Sequence, residues 1–449
     1  MKKFAILAFA AVLVFAFTVP AMAVENIFGG YWRTRAVTQG NFSGATDEAV
    51  VTSTVNVPVW NDTTGEYDST ATAVATPTYP NQDQSLVDTR TRIYYTAKFS
   101  DNFKFVNKFE FNTTWGDAVG GDIGSDATGT FRIKNSYVDF SLGGMNIKIG
   151  QQGLTFARGF LFSDDASGAV VTYAGEGITI PFTWIKAYEG GIGKDMNDYD
   201  VDYYAINPSF SMGGATIKPL VMYVTSKDAQ NWASTSDLKE LDVWFLGADI
   251  DVELGAAKVW FTGIYETGSA TDPVVTDPDF DISASLFAVG LNVPVGPVSV
   301  HGQVFTATGD DNTDDQDVKA FQVPKGQSYY WSEIMGLGIF DEQGSANSPK
   351  DQISNVMAAN VGVSFNASEK LTLTGDLWYA KLNEKNPLTG EDVLGTEVDL
   401  KATYKLMSNL NLDVVAAYLF TGDATYKETA AGGSQENAYE IGTRLSLSF

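Results

Sequence analysis

Basic side chains recur at every second position in three segments of the first third of the sequence. Arg33 and Arg35 stand two residues apart, as do Arg90 and Arg92, and the same spacing separates Arg132 from Lys134. Side chains alternate between the two faces of a β-strand, so each of these pairs occupies one face. A wall that collects arginines in this way attracts anions, because rings of like charge set ion selectivity in pores.

Other residues that could do chemistry are few. The chain has no cysteine, and its only histidine is His301. Disulfides, thiolate nucleophiles, iron–sulfur clusters, covalently attached haem and multi-histidine metal sites are therefore excluded. We expect no cofactor and no enzymatic activity.

Acidic residues dominate the composition, with 55 Asp and Glu against 29 Lys and Arg, for a net charge of −26. This balance argues against a nucleic-acid partner, because phosphate binding needs clustered basic residues. A run of aspartates could hold a divalent cation, although it lacks the glycine and terminal glutamate of an EF-hand loop, and a solvated charge run is the alternative. The run contains Asp310, Asp311, Asp314, Asp315 and Asp317.

Strands of about 9–13 residues must position the arginines. The last one, 437–449, has largely apolar residues at alternate positions and ends on Phe449, while small, polar or charged residues fill the other face. The segment 103–115 alternates aromatic residues with lysine and glutamate in the same way. An aromatic face of this kind suits lipid, where a charge costs about 2–4 kcal/mol near the midplane, so the basic face is predicted to point inward.

The amino-terminus has the pattern of a cleaved signal peptide over residues 1–23. Lys2 and Lys3 precede an apolar run that ends at Pro20 and the small-x-small sequence Ala21-Met22-Ala23. Removing this segment takes away two lysines and no acid, so the net charge of −26 becomes −28. Residues 24–449 then form a single domain with no later apolar stretch long enough for a membrane helix.

Eighteen strands can be counted in residues 24–449, joined alternately by very short and by long connections. This asymmetry predicts an all-β, antiparallel up-and-down transmembrane barrel with short periplasmic turns and long outer loops at about 38–87 and 309–354. Sixteen strands result if residues 169–188 pair differently. The inward phase flips near Asn135, which predicts a β-bulge, with a break in the strand as the rival interpretation.

Several segments resemble Gram-negative outer-membrane porins. GTEVDLKATYKLMSNLNLDVVAAYLFTGD is similar to the closing repeats of alginate-export-type and related porins, and the terminal Phe449 matches the usual last residue of such barrels. GGYWRTRA and YYWSEIMGLGIFD resemble porins of sulfate- and metal-reducing bacteria. The resemblance implies passive diffusion of small hydrophilic solutes and ions, an indirect role in respiration, a homotrimer, contact with outer-membrane lipid and lipopolysaccharide, and recognition of Phe449 by the barrel-assembly machinery.

A porin-like constriction is also implied by resemblance. SYVDFSLGGMNIKIGQQ partly matches the porin strand-turn-strand after which a loop commonly folds into the lumen. Arg158, Asp164 and Asp165 then become constriction residues, with the two aspartates facing the arginines. An ordinary solvated outer loop is the alternative, and for the whole chain the alternatives are a substrate-specific outer-membrane transporter and a secreted β-rich adhesin.

Overall fold

The computed structural model describes the chain in eleven segments. These are residues 24–42, 53–61, 66–74, 83–116, 130–190, 200–226, 240–271, 279–312, 315–387, 389–425 and 436–449. The predicted signal peptide lies outside the described residues.

Almost all regular structure is β-strand. The strands are β1 (Glu25–Gly40), β2 (Ser53–Asn61), β3 (Glu66–Val74), β4 (Gln84–Ser100), β5 (Phe103–Thr114), β6 (Thr130–Leu142), β7 (Met145–Phe156), β8 (Phe162–Gly175), β9 (Ile178–Tyr188), β10 (Val201–Ile206), β11 (Ser209–Met212), β12 (Ala215–Ser226), β13 (Leu241–Leu254), β14 (Ala257–Thr271), β15 (Asp279–Val295), β16 (Val298–Ala307), β17 (Asp317–Val318), β18 (Val356–Asn366), β19 (Leu371–Lys381), β20 (Val393–Met407), β21 (Leu410–Thr421) and β22 (Ala438–Ser448). A single 3₁₀ turn spans Ala157–Gly159. None of the described helical structure is long and apolar enough to cross a membrane.

The strands close into an antiparallel barrel of 18, as the sequence predicts. β2 and β3 form a separate hairpin, β17 is a short strand beside β15, and β10 and β11 are two halves of one wall strand. Each of the remaining strands pairs with its two neighbours in the wall. β1 closes the ring by pairing with both β4 and β22. The region 169–188 forms two wall strands, which settles the count in favour of 18 over 16.

The outer surface of the wall is apolar. In β15, Phe287 and Val289 are 49% and 45% exposed, whereas Leu286 and Ala288, which alternate with them along the strand, are buried. Similar exposed aromatic and aliphatic residues recur around the barrel, including Phe111, Phe182, Leu377 and Phe420. A closed barrel leaves no unpaired strand edge in a bilayer, and this exterior suits the acyl chains of an outer membrane.

Two features of the predicted wall follow from local sequence. Glycines with positive φ, such as Gly143 and Gly144, occupy short turns at the end of the barrel where β1 begins and β22 ends. The predicted phase flip is a β-bulge, because Lys108 pairs with Asn135 while Phe109 pairs with Ile133, leaving Lys134 as the extra residue. The bulge keeps Arg132 and Lys134 in the wall while the apolar exterior continues on both sides.

Two segments leave the wall and fill the lumen. The first is a hairpin of residues 152–167, which we call the lumen hairpin: β7 pairs with β6 only up to Gln151, and β8 pairs with β9 only from Gly168, while β7 and β8 stay paired to Phe156 and Phe162. The second is the connection of residues 308–355 between β16 and β18, called the long loop.

An apolar core forms where these two segments meet one side of the wall. Phe160 of the lumen hairpin is fully buried and stacks on Tyr329 of the long loop, with ring centroids 3.8 Å apart. Phe321 of the long loop packs against Phe245 of β13. Most inward side chains of β10–β16 near these segments are accordingly apolar, where a water-filled pore wall would be polar. Glu266 of β14 is a buried exception, and it accepts the N–H of Gln322 of the long loop at 2.8 Å.

Phe449 completes the seam, which is the pairing of β1 with β22 where the barrel closes. Phe449 exchanges two backbone hydrogen bonds with Gly30 of β1, at 2.7 and 3.1 Å. Its ring covers Gly30 so closely that a Cβ there would lie 2.4 Å from a ring carbon and 2.6 Å from the carbonyl oxygen of Arg92. Glycine is therefore required at this position by contact, not by backbone conformation.

We predict that Gly30→Ala lowers the yield of folded barrel, because the added methyl must displace Phe449 or a backbone carbonyl. Heat-modifiable gel migration of the membrane fraction measures the folded share. Gly375→Ala is the matched control, since a Cβ there meets Leu400 at an ordinary 3.4 Å. Equal folded fractions for the two variants would show that the seam contact is not needed for assembly.

Candidate functional site

Three arginines of the wall converge on one carboxylate of the long loop. Asp341 Oδ1 accepts hydrogen bonds from Arg33 and Arg35, each at 2.8 Å, and its Oδ2 accepts one from Arg90 at 3.1 Å. Arg33 and Arg35 are both 4% exposed. Arg33, Arg35 and Arg90 therefore lie inside the barrel and share Asp341 as an acidic partner. In the described residues, neither Asp164 nor Asp165 forms an ion pair with them.

Strand register explains why an acid is needed there. Arg33 is directly opposite Arg90 in the β1–β4 pair, and Arg35 is directly opposite Arg444 in the β1–β22 pair. Like charges in register destabilise a sheet. Asp88 and Glu342 supply the remaining partners of Arg35, at 2.7 and 2.6 Å.

Arg90 and Arg92 of β4 also have partners on the neighbouring strand, β5. Arg92 donates to Glu110 of β5 at 2.7 Å, and Arg90 donates to Asn112 at 2.9 Å. Glu110 is 2% exposed and also accepts a hydrogen bond from Asn112. Glu110 of the wall is therefore the acidic partner of Arg92.

The lumen hairpin carries the other predicted residues. Lys134 of β6 forms an ion pair with Asp165 at 2.7 Å, and Asn135 donates to the same carboxylate at 2.8 Å. Asp164 is exposed, and it accepts the backbone N–H of Asp165. Arg132 lies opposite Glu110 in the β5–β6 pair and is exposed.

Arg158 ties the tip of the hairpin to a distant part of the wall. Its guanidinium binds Asp251 at 2.7 Å and lies 3.6 Å from Asp249, both on β13, and it sits over the ring of Trp260 on β14. Ala157 and Arg158 both have positive φ. Such backbone strain costs about 1–3 kcal/mol per residue and persists only where surrounding contacts hold it.

Backbone amides anchor the middle of the long loop. Glu397 of β20 is fully buried and accepts the N–H groups of Ile334 and Met335, at 2.6 and 2.9 Å, and the hydroxyl of Ser332 at 3.0 Å. Glu333 donates its N–H to the neighbouring Asp399. Sequence reasoning missed this anchor, although Glu397 stands out as an acid at an inward position of a wall strand.

A cavity of about 750 Å³ remains between the long loop and one side of the wall. Its charged lining residues are Arg33, Arg90, Arg92, Lys401 and Arg444 on the basic side and Glu333, Asp341, Asp376 and Asp399 on the acidic side. His301 also lines it and hydrogen-bonds Asp376 at 2.8 Å. Burial raises the pKa of Glu333, a loop residue.

The aspartate run at the start of the long loop is locally paired where it is described. Asp311 binds Lys319 at 2.8 Å, Asp310 accepts the N–H groups of Asn312 and Lys319, and Asp315 accepts the N–H of Asp317. Asp314 lies outside the described residues. Within the described part of the chain, no group of three or more His, Cys, Asp or Glu is placed to hold a metal ion.

Comparison with known proteins gives structural relatives at low sequence identity. OpdK of Pseudomonas aeruginosa, solved with vanillate, matches with a TM-score of 0.54 at 10% identity and covers 94% of this chain and 98% of that one. A BenF-like porin from Pseudomonas fluorescens Pf-5 matches at 0.55 and 12%, covering 95% and 98%. OprD of Pseudomonas aeruginosa matches at 0.51 and 12%, covering 94% of each chain.

The chain has the fold of outer-membrane porins. By sequence, it is 31% identical over 111 residues to outer membrane protein P1 of Haemophilus influenzae, a match that spans 24% of the chain and 24% of that protein. No protein-family model matches the chain.

We predict that Asp341→Asn loosens the long loop. Asparagine tolerates the left-handed backbone of this residue, at φ 44°, so the variant removes the charge and little else. Arg33 and Arg35 stay buried when this charge is removed, and a buried charge without its partner is destabilising. Trypsin should then cut faster after Lys325 and Lys350 in the folded protein.

The matched control is Asp311→Asn, on the same loop but with a side chain that is 60% exposed and forms an ion pair with Lys319. Equal cleavage rates for the two variants would mean that Asp341 does not hold the loop in place.

Proposed function

We propose that the protein is a non-enzymatic channel of the outer membrane through which small hydrophilic solutes and ions diffuse. The observation that carries this proposal is the charge-lined cavity inside a closed 18-strand barrel with an apolar exterior. Barrels of 16–18 strands leave an aqueous channel because their wall side chains cannot fill the interior. OpdK, which has the same fold, was solved with vanillate, a small organic acid, and a solute of that size is within the range we propose.

The polar side of the lumen is the proposed route. The wall of β4, β5 and β6 presents Arg92, Lys108 and Lys134, and Asp165 of the lumen hairpin acts electrostatically on all three. The apolar core blocks the opposite side, along β10–β16. Solutes then pass along Arg92 and Lys108, beside the ion pair of Lys134 with Asp165, so that basic and acidic groups lie next to each other along the proposed route.

The homotrimer and the recognition of Phe449 by the assembly machinery are part of the proposal and rest on the resemblance to porins. The indirect role in respiration has the same basis. The exposed Phe449 at the seam supports recognition of this residue from the membrane side.

Reconstitution of the purified protein into planar bilayers tests the channel and its charge arrangement together. We expect discrete conductance steps in KCl. In a salt gradient, Arg92→Ala should shift the reversal potential towards cation preference, and Asp165→Asn should shift it towards anion preference. Both shifts should shrink as salt rises, since the Debye length is about 10 Å at 0.1 M and about 3 Å at 1 M.

Glu369→Gln, in an exposed turn between β18 and β19, is the control and should leave the reversal potential unchanged. Absence of conductance in the wild type and in Asp341→Asn alike would overturn the channel proposal. Conductance with unshifted potentials would overturn only the proposed route.

A further inference from the structure

Four buried carboxyl groups meet beneath the middle of the long loop. Glu397 and Asp399 come from β20, Glu440 comes from β22 and Glu333 from the loop itself, and each of them is at most 8% exposed. Strand register places Asp399, Ala417 and Glu440 in one row across β20, β21 and β22. We call these four acidic residues the acid cluster.

No ion pair compensates the acid cluster within the part of the chain that the structure describes. Arg35 and Arg444 act electrostatically on it, but they form their ion pairs with Asp88 and Asp413. The other charged or titratable groups that border the same cavity are Lys401, His301, Asp341 and Asp376, together with the arginines of β1 and β4.

Two members of the cluster share a proton. Glu397 accepts three hydrogen bonds from the loop, which suits an ionised carboxylate, and it also forms a hydrogen bond with Asp399. Two carboxyl groups can form that bond only if one of them carries a proton, because ionised carboxylates only accept. Oδ1 of Asp399 is buried and has no other hydrogen-bond partner in the described residues, so this oxygen can hold the proton.

The shared proton links the position of the loop to pH. Glu397 and Asp399 together accept the backbone N–H groups of residues 333, 334 and 335. Once the proton leaves, two adjacent carboxylates repel each other in a buried site, and both are better solvated if the loop moves away from β20. Burial also raises the pKa of Glu333, so ionisation of this loop residue favours release in the same direction.

We propose that the acid cluster is a pH-sensitive latch for the long loop. Residues 332–339 stay docked on β20 while Glu397 and Asp399 share a proton, and they are released when that proton is lost. An aspartate in water ionises near about pH 4, so the released state gives up a proton that the docked state keeps, and docking weakens as pH rises. The loop borders the cavity, so its release widens the lumen. As a gate for solutes the latch rests on the proposed channel function, whereas release of the loop does not.

Chymotrypsin tests the release, because Trp331 and Phe340 are buried at the two ends of the docked residues. Cleavage after these rings is followed on the folded protein in detergent, and each rate is divided by that of a small peptide substrate at the same pH. Loss of one proton predicts a corrected rate that rises by up to about tenfold per pH unit, since cleavage follows the released population. Heat-modifiable migration checks that the barrel stays folded at each pH.

Asp399→Asn should flatten this pH dependence, because its amide can donate to Glu397 at every pH while its carbonyl still accepts from the loop. Glu266→Gln is the matched control: Glu266 is also a buried wall acid that accepts a backbone N–H of the long loop, but it stands on β14, outside the cluster. The control should keep the pH dependence of the wild type. If Asp399→Asn does not assemble, Glu397→Gln removes the other partner and must flatten the pH dependence in its place.

A corrected rate that does not change with pH in the wild type would overturn the latch. The same holds if Asp399→Asn, or Glu397→Gln in its place, depends on pH as steeply as the wild type does.

Conductance in planar bilayers separates the latch from the channel. In about 1 M KCl, which screens the wall charges to about 3 Å, single-channel conductance should rise with pH in the wild type and stay constant in Asp399→Asn. Constant conductance beside pH-dependent cleavage would overturn the gate and support the latch. No conductance at any pH, beside pH-dependent cleavage, would overturn the channel proposal and still support the latch.

Discussion

A single carboxylate of the long loop, that of Asp341, lets three arginines share one patch of the wall. Strand register forces Arg33 against Arg90 and Arg35 against Arg444, and the hydrogen bonds of the closed barrel leave no freedom to separate them. Asp413 takes Arg444, at 2.9 Å, and Asp341 takes the other three. Without the long loop the arginine patch has too few acids, and without the patch the loop has no charged attachment on that side.

The width of an 18-strand barrel explains why two segments enter it. The wall side chains cannot meet across the lumen, so an apolar inward residue can be buried only by material that comes from elsewhere in the chain. The lumen hairpin and the long loop provide that material along β10–β16, and the same buried cluster extends to Trp378, Leu394 and Leu419 of β19–β21. The inward residues of β4–β6 are mainly polar. The division of the lumen into an apolar and a polar side follows from where the inserted residues find apolar partners.

Local patterns in the sequence predicted the wall well. Alternation gave the 18 strands and the inward face of the arginines, and the phase flip gave the bulge at Lys134, because both depend only on neighbouring residues. The partner of Arg33 was missed because Asp341 lies 308 residues away, and no periodicity constrains a loop. The apolar inward faces of β13 and β15 were missed for a related reason: a strand buried by an inserted loop has the same residues on its inner face as a strand in a soluble core.

The two polar anchors of the long loop differ in what they demand of the sequence. Glu397 binds backbone N–H groups, so the residues at 334 and 335 can change without loss of that anchor, provided the chain keeps its path. Asp341 binds through its own side chain and stands at a left-handed φ, which favours Gly, Asn or Asp, and of these only Asp carries the charge. The loop can therefore vary in sequence near Glu397, while the end that borders the arginine patch is fixed in both conformation and chemistry. The shape of the cavity between these anchors is set by the fixed end, which places Arg33 and Arg90 at its edge.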